Sequence, residues 1–218
     1  MSRFLLPLAG AVALAACSGD DAALVELEAT LAATEAQLAE AEAAAQSASE
    51  QLTGQLAALD QAAQQAMANV ADRADLRGDL IGRDGETIGE VFVLGGPHGM
   101  ILRISGSGLP IGLHGSHLHV GGNCSDAADG FKAAGGHINL TQDEHGLLNP
   151  AGYHVGSNFP NFWIGGEVFV IEAFANDLTL DQAMDEDGFS LIIHESEDDH
   201  VSQPIGGAGG RVACAAFN

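Results

Sequence analysis

Two hydrophobic periods divide this chain. Between Asp20 and Asp72, Leu24, Leu31, Leu38, Ala45, Leu52, Leu59 and Ala66 recur every seventh residue. Leu27, Thr34, Ala41, Ala48, Gln55 and Ala62 follow in the companion seam. Residues seven apart lie on one face of an α-helix, so the spacing predicts one long helix with a good first seam and a weak second. From Leu76 onward the pattern becomes short β-branched runs broken by glycine: Thr87–Leu94, Met100–Ser105, Glu167–Phe174 and Phe189–His194. Runs of this length and spacing predict an antiparallel β-sandwich or barrel.

Ahead of the helix, Arg3 precedes an apolar stretch from Phe4 to Ala16, followed by Cys17. A basic residue, a short apolar run and small residues make an export signal, and the run is too short for a permanent span of a bilayer. Leu14-Ala15-Ala16-Cys17 resembles a bacterial lipobox, which implies a lipid anchor to a membrane at Cys17. Residues 1–16 are then a lipoprotein signal peptide, 17–75 an acidic Ala-rich helical spacer and 76–218 the folded domain. With Cys17 occupied, Cys124 and Cys214 remain, and two exported thiols are expected to form a disulfide.

Charge narrows the partners. The chain has 30 acids against 7 bases, a formal net charge of -23, which repels phosphate backbones and excludes nucleic acid. Between Asp20 and Asp72 there are ten acids and no base, so no attractive ion pair can form within this helix or between copies of it. Two readings stay open: a solvated spacer, or a coiled coil through which the chain forms a homo-oligomer. A helix of about 50 residues would reach about 75 Å. No Gly-rich phosphate loop or Gly-x-Ser-x-Gly elbow interrupts the strands, and Lys132 is the sole lysine.

The chemistry therefore lies in the histidines, six of which fall between His114 and His154: His114, His117, His119, His137, His145 and His154. In the strand-like run Leu113–Val120, His117 and His119 are two apart and share a face, with Leu118 opposite. Two imidazoles on one face make half a metal site, and an imidazole-rich set suits copper or zinc. His194 closes the apolar run Ser190–Ile193.

At these residues a resemblance becomes specific. Gly108-Leu109-Pro110 followed by His114-Gly115-Ser116-His117-Leu118-His119 resembles the signature of bacterial copper-zinc superoxide dismutases. Ala134-Gly135-Gly136-His137-Ile138-Asn139 resembles the family's bridging-histidine segment, and His145-Gly146 with His154-Val155-Gly156 its zinc loop. Leu191–Glu195 resembles the last copper-ligand segment and Arg211-Val212-Ala213-Cys214 the family's ending. The resemblance covers roughly Leu76 to Asn218 and implies a Greek-key β-barrel. It implies copper on His117, His119, His137 and His194, and zinc on His137, His145 and His154, with His137 bridging. His137 would also deliver a proton, Asp198 would fix the tautomers of His117 and His145, and Arg211 would guide the superoxide anion. The implied site is in the cell envelope.

Two departures matter. The family's zinc loop carries an aspartate three residues past its last histidine, where this chain has Ser157 or Asn158. Zinc favours four ligands, so zinc is expected to bind weakly or substoichiometrically; Asp143 or Glu144, beside His145, is the alternative fourth ligand. Ser116 stands where the signature has phenylalanine, which changes the packing beneath the copper ligands. The rival reading is an envelope lipoprotein that buffers or delivers copper without dismutation; a guiding arginine favours the enzyme.

Overall fold

The computed structural model describes residues 21–157 and 159–218. The segment read as an export signal, Cys17 and Asn158 lie outside the described residues. The chain divides into two compact units, Met1–Ala63 and Gln64–Asn218.

Helix α1 (Asp21–Ala71) runs 51 residues with none buried. Alanine, leucine, glutamate and glutamine are the strongest helix formers, and proline is absent from this stretch. The seam leucines Leu24, Leu27, Leu31, Leu38, Leu52 and Leu59 are all exposed. No helix among the described residues is long and apolar enough to cross a membrane.

In the second unit every strand pairing is antiparallel, with long loops between the strands. Strands β1 (Leu76–Gly82), β2 (Thr87–Gly96) and β3 (Gly99–Ser107) form a meander. Strands β5 (Ser116–His119), β7 (Val168–Asn176), β8 (Phe189–His194) and β9 (Arg211–Phe217) complete a seven-stranded sheet in the order β5-β8-β9-β1-β2-β3-β7. The first strand thus lies beside the last, a Greek-key wrap that curls the sheet into a half-barrel. A second, two-stranded sheet pairs β4 (Gly112–His114) with β6 (Phe162–Ile164). A single turn, α2 (Leu180–Ala183), is closed by a capping box between Thr179 and Gln182.

All four predicted runs are strands, and three strands arise where no run was predicted. β9 reads Arg-Val-Ala-Cys-Ala-Ala-Phe, a composition poor in β-branched residues. It lies between β8 and β1 with Ala213, Cys214 and Ala215 fully buried, a place for small side chains packed on both faces. β1 is interrupted by glycine, and β6 is only three residues long. The expected run Leu113–Val120 splits at Gly115 into β4 and β5, which belong to different sheets. A Cβ on Gly115 would lie 3.1 Å from both the backbone N and Cβ of Asp198, so glycine lets the chain pass close beneath that carboxylate.

β8 is buried at all six residues, because both of its faces are covered. Phe189, Leu191 and Ile193 enter the main core. Ile192, on the other face, packs with Phe131, Ala134 and Cys214 in a second cluster. The loop carrying Phe131 is tied down by the Cys124–Cys214 disulfide, with Cα atoms 5.7 Å apart, as the pairing of the two thiols predicts.

Candidate metal centre

The two faces of β5 separate core from chemistry. Leu118 is fully buried in the main core, while His117 and His119 project from the opposite face. His119 makes an isolated antiparallel bridge to His137, which brings the Gly135–His137 segment against β5. His194, the last residue of β8, joins them from the neighbouring strand. One ring nitrogen each of His117, His119, His137 and His194 lies within 4.8 Å of the others.

Each ring is fixed by an outward hydrogen bond. His119 Nδ1 donates to Gly135 O at 2.9 Å, and His194 Nδ1 to Gly209 O at 3.2 Å. His117 Nε2 donates to Asp198 Oδ2 at 2.8 Å. His137 Nδ1 lies 3.0 Å from His154 Nε2, and His154 Nδ1 lies 3.1 Å from Asp143 O. A carbonyl can only accept, so His154 in its neutral form has its proton on Nδ1 and accepts from His137 through Nε2. The opposite nitrogens, His117 Nδ1, His119 Nε2, His137 Nε2 and His194 Nε2, are buried and make no hydrogen bond.

Burial also keeps the rings neutral. It pushes His119 down to about 2 and His194 down to about 3, with neighbouring rings and Arg211 adding to the effect. His137 is lowered by burial and by the four surrounding rings. In His117, burial outweighs the opposing pull of Asp198. At neutral pH, four bare, buried lone pairs therefore face one another. Such a set fits a cation that prefers nitrogen, and copper stands highest among the divalent ions in that preference.

Asp198 ties the cluster to the neighbouring loop. Its Oδ2 accepts from His117 at 2.8 Å and from His145 Nε2 at 3.1 Å, with His200 Nδ1 at 3.8 Å. Its Oδ1 accepts from the His200 backbone at 2.6 Å. Burial opposes its charge, yet these hydrogen bonds prevail and hold the carboxyl below the usual range. Gly206, at φ 64°, leaves room for it, since a Cβ there would fall 1.7 Å from Oδ1.

Arg211, at the start of β9, donates through Nη1 to Phe131 O at 2.5 Å and through Nη2 to Gly135 O at 2.7 Å. Gly135 O thus accepts from both Arg211 and His119. Gly135 sits at φ 74°, and a Cβ there would meet Val120 at 2.9 Å, so only glycine turns this carbonyl both ways. Phe131 adopts the left-handed region at φ 55° while fully buried, which aims its own carbonyl at the guanidinium.

The loop histidines are arranged differently. Among the described residues, ligand atoms converge in two groups, the four histidines above and His117 with His145 and Asp198; neither contains His154. His145 Nδ1 is buried without a partner. Ser157 is buried and donates to His154 O at 3.0 Å. The Asp143 carboxylate accepts from Thr141 at 2.5 Å and that of Glu144 from Asn149 at 2.9 Å. Ser116 is buried opposite Ile193, its hydroxyl without a hydrogen bond. His114, sixth of the clustered histidines, stands apart and braces the carbonyls of His194 at 2.7 Å and Pro110 at 2.8 Å.

The fold and the histidine pocket define a metalloprotein of the copper/zinc superoxide dismutase class, and a match to that family spans residues 87–217. The chain belongs to the copper/zinc superoxide dismutase family. It is 37% identical over 142 residues to the superoxide dismutase [Cu-Zn] of Caulobacter vibrioides, covering 62% of this chain and 80% of that one. It is 36% identical over 147 residues to the superoxide dismutase-like protein YojM of Bacillus subtilis, covering 63% and 73%. The crystal structure of a SOD-like protein from Bacillus subtilis superposes with a TM-score of 0.61 at 32% identity, covering 65% of this chain and 97% of that one.

Proposed function

We propose that this protein is a superoxide dismutase whose copper sits among His117, His119, His137 and His194. The observation that carries the reading is the set of four neutral rings, each with its proton directed outward and its lone pair directed inward. Copper held there would take an electron from one superoxide and give one to the next, so that two superoxides and two protons become dioxygen and hydrogen peroxide. The residues supply the rest. Arg211 presents a fixed cation to the anion on a chain otherwise strongly negative. Asp198 holds His117 in one tautomer, the usual work of a carboxylate behind a metal-binding histidine. His137, with one nitrogen toward the pocket and the other toward His154, is the ring placed to carry a proton.

Zinc belongs to the proposal as a weak occupant of His137, His145 and His154, short of a fourth ligand. Residues 1–16 would serve as export signal and Cys17 as lipid anchor, with 17–75 as spacer and 76–218 as the enzyme in the cell envelope. The disulfide supports an exported protein. For α1 the solvated spacer is the favoured reading, since its eight acids have no base to pair with across copies. Purified full-length chain, loaded with copper, should dismutate superoxide; stoichiometric copper without dismutation would instead establish the buffering reading.

A further inference from the structure

Two side-chain amides with no role so far hold the backbone of the site. Gln203 Oε1 accepts from the backbone N–H of His145 at 2.8 Å, and its Nε2 donates to the carbonyl of the same residue at 2.8 Å. Asn161 repeats the arrangement on Asp198, accepting from its N–H through Oδ1 and donating to its carbonyl through Nδ2, both at 2.7 Å. A side-chain amide carries the same donor and acceptor as a peptide group, so each reciprocal pair is a two-point clamp that fixes rotation as well as position.

The clamped residues are joined to each other and to the pocket. His145 Nε2 lies 3.1 Å from Asp198 Oδ2, and the same oxygen takes the His117 proton at 2.8 Å. A continuous path therefore runs from Gln203 through His145 and Asp198 to His117, with Asn161 holding Asp198 from the other side. It ends on His117 Nδ1, one of the four inward lone pairs. Neither amide touches that pocket. Both reach across long stretches of sequence, 58 residues for Gln203 and 37 for Asn161, so each pins one loop to another.

We propose that Asn161 and Gln203 are positioning residues that set the orientation of His117 toward copper. They do so from the backbone of Asp198 and His145, and without zinc. A complete zinc shell would hold His145 by its ring; here the backbone clamp performs that task. This rests on the copper reading above.

The test is the Cu(II) electron paramagnetic resonance spectrum of the full chain, loaded with copper alone and stripped of zinc. Wild type should give one sharp, single-species spectrum at one copper per chain. Gln203→Met keeps the side-chain length and removes both hydrogen bonds to His145, along with one to Val201 O at 2.9 Å; Asn161→Ala removes the other clamp. Each should retain copper while its hyperfine splitting shifts and broadens, with dismutation slower by about 10-fold, the low end for outer partners of metal ligands. Gln203→Glu preserves the acceptor and size but not the donor, and should fall between wild type and Gln203→Met. It also decides the matter if Gln203→Met does not fold. Copper-replete variants with wild-type spectra and rates overturn the positioning role while leaving the enzyme intact. Failure of the wild-type chain to bind copper overturns the reading beneath it instead.

Discussion

The pocket of His117, His119, His137 and His194 and the loop of His145 and His154 use one residue type on two kinds of backbone. In the pocket, three rings stand on paired strands or at a strand end, and their tautomers are set by Gly135 O, Gly209 O and Asp198. Their free nitrogens converge. In the loop, His154 directs Nδ1 to Asp143 O and offers Nε2 to His137, so both nitrogens are engaged within the protein. Rigid elements can hold lone pairs together against their mutual repulsion; in the loop, His154 spends both nitrogens on protein partners and only His145 Nδ1 is left bare. Copper should therefore be indifferent to zinc, and each prediction below tests that asymmetry.

The largest effect is expected at His194→Ala, which removes one of four donors from the rigid half. Copper should be lost on dialysis, and dismutation should fall by more than the roughly 10- to 100-fold that an outer partner costs. Metal analysis and a rate measurement on the same sample check it; a copper-replete, active variant would exclude His194 as a ligand.

Arg211→Ala should leave copper in place and slow the reaction by about 10-fold or more, the lower range of electrostatic steering. Rising ionic strength screens both this cation and the acidic surface around it. The gap between wild type and variant should shrink with salt. Equal rates at every salt concentration would remove Arg211 from the reaction.

The copper half was the more legible in the sequence. The His117–His119 spacing gave one face of a strand directly, and the ordered motifs pointed to His137, His194, Asp198 and Arg211. The departure from the zinc loop, Ser157 or Asn158 where the family has aspartate, was equally plain. Less could be read where function depends on carbonyls and amides. Phe131 O, Gly135 O and Gly209 O are backbone atoms, and their direction comes from turns that no periodicity announces. Asn161 and Gln203 are ordinary loop amides whose partners lie far away in sequence. β9 lies outside the β-branched runs: its alanines suit a strand packed on both faces, yet alone they favour a helix, and only the Arg211–Cys214 ending pointed to it.

Acid should test the buried pocket without mutation. Burial holds His119 neutral to about 2 and His194 to about 3, whereas both titrate near 6.5 once the chain unfolds. The folded-state values are depressed, so the unfolded chain binds the extra protons. The stability these groups contribute is complete above pH 6.5 and is lost as pH falls toward 3. Each such ring costs the metal-free protein about 2 kcal/mol by pH 5. Denaturant titrations at pH 7 and pH 5 should show the loss in metal-free protein, and copper loading should reduce it. Equal stability at both values would mean that the pocket histidines are not held neutral.

The smallest effect is expected from zinc. Tetrahedral zinc needs a fourth ligand, and among the described residues the oxygens near the loop histidines already have partners, Ser157 with His154 O, Asp143 with Thr141 and Glu144 with Asn149. A water would leave more of the ion's charge uncompensated than a carboxylate does. Binding would also require His154 to give up one of its present hydrogen bonds. Protein loaded with equal copper and zinc, then dialysed against a mild chelator, should keep near-full copper and well under one zinc per chain. Its dismutase rate should match that of protein never exposed to zinc. Ser157→Asp supplies the carboxylate and should raise zinc retention while leaving copper content unchanged. One tightly held zinc per wild-type chain after that dialysis would show that the loop completes its shell, and the asymmetry would fall.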